Sequence, residues 1–345
     1  MTALAVARLP ETSIRWRLVL WLSVFGAFAL AACLGAPLVG TTRIDLVQAF
    51  SRAVPFADNV DAQIFFIARL PRALAAALVG AALASAGVVL QALLRNPLAT
   101  PFTLGVSAGA ALGSMLAISL GLHVSVWGVS AVTAASFAGS LFAVGIVYAL
   151  ARTHQRRFST NVLLLAGVTL NSFFSAVILF VQYIANPAEA LRTVRWLMGN
   201  LDVAGYLPIV ASLPLFAAAF LAFAWQPRAL NLLSLDEDAA AARGINVVRS
   251  QQLAFFSASL ATGAAVSLGG PIGFVGIVVP HLVRLLVGAD HRVVLPSAAL
   301  FGAAFLVVCD LVARVLLAPL ELPVGIITAV IGGPFFLWLL IRQKC

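Results

Sequence analysis

Charge is scarce in this sequence. Of 345 residues 10% are charged and 12 are acidic, while 62% are hydrophobic and the mean hydropathy is +1.07. A soluble globular domain carries about 25% charged residues. The shortage excludes a chain that covers itself with water-facing side chains, so the protein is read as integral to a lipid bilayer. Cysteine is scarce too. Cys33, Cys309 and Cys345 form no C-x-x-C pattern, which excludes a zinc framework or a disulfide scaffold. The four histidines (His123, His154, His281, His291) fall near proposed loops or span ends, and "PHLVR" lacks an H-E-x-x-H context, so no metal site is read. No G-x-x-x-x-G-K-[ST] occurs, so any nucleotide-driven work belongs to another subunit. No His/Asp/Glu series runs along one span as a proton relay needs, and no nucleophile–base pair supports an intramembrane enzyme.

The formal net charge of +9 is not a nucleic-acid signature here. Its arginines are dispersed as loop punctuation, which is the habit of cytoplasmic loops in membrane proteins. No nucleic-acid partner is expected. The apolar run from Leu18 to Leu38 is about 20 residues, long enough to cross and too long for an ordinary signal core, so it is read as a retained first helix.

The apolar segments predict an all-α polytopic fold. Ten spans are drawn over 17–38, 71–94, 104–120, 126–151, 160–184, 206–226, 250–269, 272–288, 294–316 and 322–342. An even count puts both ends on one side. The short connection "ARTHQRRFST", with Arg152, Arg156 and Arg157, marks that side as cytoplasmic, giving N-in and C-in. The whole chain, 1–345, is read as one transmembrane domain.

Against this background "LSLDEDAAAARGINV" (Leu233–Val247) stands out, because three of the 12 acids lie side by side at Asp236, Glu237 and Asp238. Ser234 and Glu237 have capping-box spacing, and Gly244 sits where a helix would stop. A short capped helix is expected in the cytoplasmic connection between spans six and seven. It is either a solvated loop helix or a dock for a soluble partner. Leu235, Ala239 and Ala242 fall on one face by three- and four-residue spacing.

Charges within spans are functional candidates by default. "ARLPRALAAALVG" places Arg69 and Arg72 at the outer mouth of span two, three apart and so on one helical face. "CDLVARVLLAPLELP" places Asp310 and Arg314 four apart in span nine, either as an intrahelical ion pair or with Arg314 snorkelling outward. Gly and Pro break the chain in "LRNPLATPFTLGVSAGAALG" and "LGGPIGFVGIVVPH". Broken helices at membrane depth belong against protein or a water-filled path. Gly105, Ser107, Ala108, Gly109 and Gly113 equally permit close helix packing.

Several blocks in order, "RLPRALAAALVGAALASAGVVLQALLRNPLATPFTLGVSAGA", "LLLAGVTLNS", "VRWLMGNL", "GPIGFVGIVVPHLVRLLVGADHR" and "ELPVGIITAVIGGPFFLWLL", resemble the FecCD-type permeases. These are membrane subunits of type II ABC importers for ferric siderophores, haem and cobalamin. The resemblance implies a ten-span permease fold, a homodimer with its path on the two-fold axis, and two cytoplasmic ATPase subunits that hold the ATP and Mg²⁺. It also implies a periplasmic binding protein and an inner-membrane location in a Gram-negative bacterium. This chain itself is then no enzyme and carries no cofactor.

The coupling segment, about 228–249, would dock the ATPase through Leu235, Asp236, Glu237, Ala239, Ala242, Arg243 and Gly244. Family members usually read Leu-Gly-Glu where this chain has Leu235, Asp236 and Glu237. Arg69, Arg72 and Arg314 correspond to arginines that receive acidic knobs of the binding protein. Asn96 and Leu98 of "NPLA", with Ser159, Thr160 and Asn161 of "STN", correspond to the cytoplasmic gate. A stand-alone ion-coupled carrier is the alternative, and the choice among chelates stays open.

Overall fold

The structure, a computed structural model, describes residues 14–51, 54–122, 124–153, 160–203 and 205–342. Helix α1 (Ile14–Gly35) ends in a 3₁₀ turn, Ala36–Leu38. Two one-turn helices follow, α2 (Leu46–Ala49) and α3 (Val60–Gln63), and a π-helical turn (Ile64–Arg69) leads into α4 (Leu70–Leu93). A second 3₁₀ turn, Pro101–Leu104, precedes α5 (Val106–Ser119). Strands β1 (Ser125–Val126) and β2 (Val129–Ser130) pair antiparallel, Ser125 opposite Ser130 and Val126 opposite Val129. Then come α6 (Ala131–Thr153), α7 (Thr160–Ile184), α8 (Pro187–Leu197), α9 (Leu207–Trp225), α10 (Pro227–Leu233) and α11 (Glu237–Ala242). The chain finishes with α12 (Val247–Gly269), α13 (Val275–Val287), α14 (His291–Val315) and α15 (Val324–Arg342).

Seven of these segments are long and apolar enough to cross a membrane: Ile14–Leu38, Val60–Leu93, Ala131–Ala151, Asn161–Ile184, Leu207–Trp225, Val247–Gly269 and His291–Val315. Three shorter apolar helices, Val106–Ser119, Val275–Val287 and Val324–Leu339, fall on the other three segments drawn from the sequence. Two features were not anticipated. The amphipathic helix α8 fills what was read as loop after span five, and the small β1–β2 hairpin precedes α6.

Burial sorts the helices into centre and periphery. In their most apolar stretches α4, α12 and α14 are 78%, 72% and 67% buried, against 6% for α1 and 22% for α7. The three central helices are built for this by small residues. A Cβ on Gly80 of α4 would stand 2.2 Å from the Gly302 carbonyl oxygen of α14, so the two backbones touch there. The α5–α6 pair does the same through Gly109 and Gly113, whose added Cβ atoms would meet the carbonyls of Gly139 and Ala135 at 2.4 and 2.0 Å. The packing role read for this stretch is therefore present at Gly109 and Gly113.

Both chain breaks are present. Thr100 and Thr103 cap each other reciprocally at the Pro101–Leu104 turn, and Gly105 adopts φ +80° before α5 starts. Between α12 and α13, Gly270 and Phe274 have φ +69° and +67°. The second break runs into span eight as drawn, since α13 starts only at Val275, and the helix then continues through Pro280. Proline has no N–H for the carbonyl four residues back, Gly276. The buried Gln91 of α4 supplies the missing donor, its Nε2 lying 3.0 Å from the Gly276 oxygen. The Gln91 Oε1 in turn accepts from the Arg284 guanidinium. One amide thus repairs the proline and partners a cation.

Candidate functional site

The charged side chains gather at the two ends of the α4–α14 pair. At one end Asp310, 1% exposed, faces two guanidinium groups. Arg72 Nε lies 3.0 Å from its Oδ1 and Arg314 Nε 3.1 Å from its Oδ2. Arg72 Nη1 also donates to Glu321 Oε2 at 2.6 Å, from the turn between α14 and α15. Asp310 and Glu321 offset the charges of Arg72 and Arg314, and of these four only Glu321, 45% exposed, reaches well out of the protein. The i,i+4 pair Asp310–Arg314 read from spacing is present, and Arg314 does not snorkel. Its remaining nitrogens approach the carbonyls of Ala36 and Val39 at 3.3 and 3.5 Å.

Arg69 and Arg72 were read as sharing one helical face at the outer mouth of span two. Arg69 closes the π-helical turn Ile64–Arg69 and Arg72 lies in the first turn of α4, and the two side chains take different partners. Arg69 donates to the carbonyls of Pro37, at 3.2 Å, and Thr42, while Arg72 crosses to α14. All three arginines are buried and internally partnered. Arg69 and Arg314 together hold the 36–42 turn through the carbonyls of Ala36, Pro37, Val39 and Thr42, of which Ala36 O also accepts from the Val39 N–H at 3.4 Å. The Arg72–Asp310 and Arg72–Glu321 pairs join residues more than 230 positions apart, and no local spacing signals them.

At the other end lies the segment 227–246. It forms two helices, not one. Pro227 opens α10, whose Leu230 and Leu233 are buried. Ser234 donates to the Asn231 carbonyl, and its helical backbone makes it the C-cap of α10 and not the N-cap of the next helix. The N-cap of α11 is Asp236, whose Oδ2 accepts from the N–H groups of Asp238 and Ala239, both at 3.2 Å. The residue that departs from the family's usual glycine is thus the cap itself. The predicted stop is present. Gly244 has φ +80°, its N–H reaches Ala241 O at 2.9 Å, and Ile245 N–H reaches Ala240 O at 3.1 Å, which is a Schellman closure.

Leu235 lies in the turn before α11, so it shares no helical face with Ala239 and Ala242, and it is 69% exposed. Ala240 is the residue that turns inward, Ala239 is half-buried, and Ala242, Arg243 and Gly244 are exposed. Glu237 pairs with Arg95 Nη2 at 2.9 Å, and Arg95 Nη1 lies 3.8 Å from Asp236. Arg95 adopts φ +49° in the turn that leaves α4. Asn231 forms a second tie. Its Nδ2 donates to Asp290 Oδ1 at 2.7 Å, and its Oδ1 accepts from the His291 N–H at 2.8 Å and from the ring Nδ1 at 2.7 Å. Sequence reading missed both Asn231 and the Arg95 pairing.

Of the gate stretches, Leu98 is exposed and Asn96 half-buried, its Oδ1 accepting from the Leu98 N–H at 2.9 Å. Thr160 opens α7, Asn161 is exposed, and Ser159 lies outside the described residues. Asn171 of α7 holds the turn that follows 96–98, donating to Phe102 O at 2.8 Å.

Comparison with known proteins agrees with this architecture. The chain is 47% identical over 276 residues to the cobalamin import system permease protein of Halobacterium salinarum, covering 79% of this chain and 72% of that one. It is 40% identical over 278 residues to the hemin transport system permease protein of Yersinia pestis, covering 80% and 82%. A solved structure of an ABC transporter of metal-chelate type, in an inward-facing conformation, superposes with a TM-score of 0.80 at 33% identity, covering 93% of this chain and 98% of that one. The family model of the FecCD transport family matches residues 24–342, and the chain belongs to that family.

Proposed function

We propose that this chain is the permease of an importer that carries an iron chelate (ferric siderophore or haem) or cobalamin across the bacterial inner membrane. It works as a homodimer driven by two cytoplasmic ATPase subunits and supplied by a periplasmic binding protein. ATP and Mg²⁺ belong to the ATPase. The observation that carries the reading is Leu235. In a chain this apolar, a large aliphatic side chain 69% exposed between two short capped helices has no cover of its own. A soluble subunit that buries it fits both the position and the family.

The topology proposed is ten crossings, N-in and C-in. Helices α5 and α13 are about 20 Å long at 1.5 Å per residue, too short for a core of about 30 Å. Each is extended by a broken segment, Pro101–Leu104 for α5 and 270–274 for α13, which lets it complete a crossing. The contacts support the sidedness. Arg95 meets Glu237 at one end of α4, and Arg72 meets Asp310 and Glu321 at the other. The acidic knobs expected on the binding protein are then received at the Arg72 end, and the 96–98 and 159–161 stretches form the inner gate. A stand-alone ion-coupled carrier needs a titrating carboxylate, and Asp310 is instead tied to two guanidiniums.

The test is purification of the wild-type complex beside a Leu235→Asp variant. The wild-type permease is expected to bring down an ATP-binding cassette subunit at equal stoichiometry, and the variant to lose it while still reaching the membrane. Equal recovery of the ATPase with both, or of none with either, would overturn the docking assignment. Uptake into proteoliposomes from a panel of haem, ferric siderophores and cobalamin then identifies the cargo.

A further inference from the structure

We infer that Glu321 is a tethered stand-in for the carboxylate of the binding protein: it occupies Arg72 when the permease is undocked and is displaced when the partner's acid arrives. The inference rests on the reading that the outer arginines receive acidic knobs, and it assigns the contact to one arginine of the three.

The three differ in what holds them. Arg69 is spent on the carbonyls of Pro37 and Thr42. Arg314 is spent on Asp310 and the carbonyls of Ala36 and Val39. Freeing either means unmaking the 36–42 turn. Arg72 alone has a partner that can leave. Its Nε stays on Asp310, which is buried, while its Nη1 points to Glu321. The Glu321 side chain is 45% exposed, against 1% for Asp310. Among the described residues, the Glu321 carboxylate has no hydrogen-bond partner besides Arg72. It sits on the outer turn between α14 and α15, beside the exposed Leu317 and Leu320. That turn is within reach of a soluble protein.

An incoming Asp or Glu would exchange one N–H···O contact for another of the same kind on Nη1, with Asp310 still fixing the guanidinium plane. The chemistry at Arg72 is then unchanged by docking, so a buried cation is never left without an acceptor. The tether also sets a threshold. Every docking event must first displace an intramolecular carboxylate, which weakens all acidic partners alike and leaves selectivity to the geometry of the rest of the surface.

The experiment uses the permease–ATPase complex in nanodiscs and, as probe, the organism's substrate-binding protein, identified as the one that stimulates the complex's ATP turnover. Its affinity is measured by surface plasmon resonance for the wild type, Glu321→Gln, Arg72→Gln and the double variant. Glu321→Gln is expected to tighten binding by about tenfold, since a neutral amide competes less well for a guanidinium than a carboxylate does. Arg72→Gln is expected to weaken it, and in that background the Glu321 change is expected to do less than twofold. If Glu321→Gln leaves binding unchanged or weaker while Arg72→Gln weakens it, the displacement idea is wrong and the docking reading survives. If Arg72→Gln leaves binding unchanged, the docking reading itself falls. Should Arg72→Gln fail to assemble, Arg72→Lys replaces it. It keeps the charge and loses the fork, and the same two comparisons decide.

Discussion

Asp310 holds two arginines with one carboxylate, one oxygen each, at 3.0 and 3.1 Å. Removing its charge leaves Arg72 and Arg314 facing one another out of water, and Arg314 keeps only carbonyl acceptors. Breaking a buried ion cluster by deleting one partner costs about 3–5 kcal/mol. Asp310→Asn is therefore expected to lower the thermal unfolding midpoint of the detergent-solubilised chain by many degrees. An unchanged midpoint would show that the cluster is solvated and that its burial contributes nothing. Half of this cluster is legible in the sequence. Asp310 and Arg314 lie one helical turn apart and announce each other. Arg72 reaches Asp310 only because α4 crosses α14, and nothing in a one-dimensional pattern reports a crossing.

At the scale of elements, the α4–α14 crossing turns on Gly80 and Gly302. A Cβ on Gly80 would stand 2.2 Å from a backbone oxygen and 2.7 Å from the Leu306 Cβ, and neither can swing away as a flexible side-chain tip would. Gly80→Leu is expected to push the helices apart and abolish recovery of folded protein. Gly145→Leu on α6, where an added Cβ meets nothing within 4 Å, is expected to express at wild-type levels. Comparable yields of the two on size-exclusion chromatography would contradict the crossing.

Small-residue stretches and apolar runs were readable as packing and spans because both are composition effects over a whole helix. Element boundaries were less so. In "LNLLSLDEDAAAARG" two residues compete to cap one helix. Asp236 wins because α10, started by Pro227 and anchored by Leu230 and Leu233, already occupies the turn that Ser234 would need. Leu235 is thereby moved from a helix face to an exposed turn, a shift that spacing rules applied to a single helix cannot see.

At the scale of the whole molecule, α4 and α14 each join the Asp310 cluster to the segment 227–246. Helix α4 carries Arg72 at one end and delivers the chain to Arg95 at the other, where Arg95 pairs with Glu237. Helix α14 carries Asp310 and Arg314 at one end and Asp290–His291 at the other, where Asn231 makes three hydrogen bonds. Burial by itself would raise the Asp290 carboxyl. Hydrogen bonds from Asn231 and the Arg292 N–H, with the Arg292 charge, outweigh it and hold the group below the ordinary carboxylate value, so it stays an anion at neutral pH. The close contact at Gly80–Gly302 keeps the two helices in register between these ends. On the proposed topology, a displacement of the Asp310 cluster by a docked protein has a route along α4 and α14 to the helices α10 and α11. Coupling of this kind needs evidence beyond adjacency. Asn231→Ala provides it, because Asn231 touches neither the Asp310 cluster nor the exposed Leu235, and only links α10 to α14. The expected result is a fall in the ratio of binding-protein-stimulated to basal ATP turnover, with binding-protein affinity within about twofold of wild type, inside the 0.5–2 kcal/mol that a residue along such a route modulates. A ratio identical to wild type, in a complex that still contains its ATPase, would mean that the outer signal reaches the ATPase by another path.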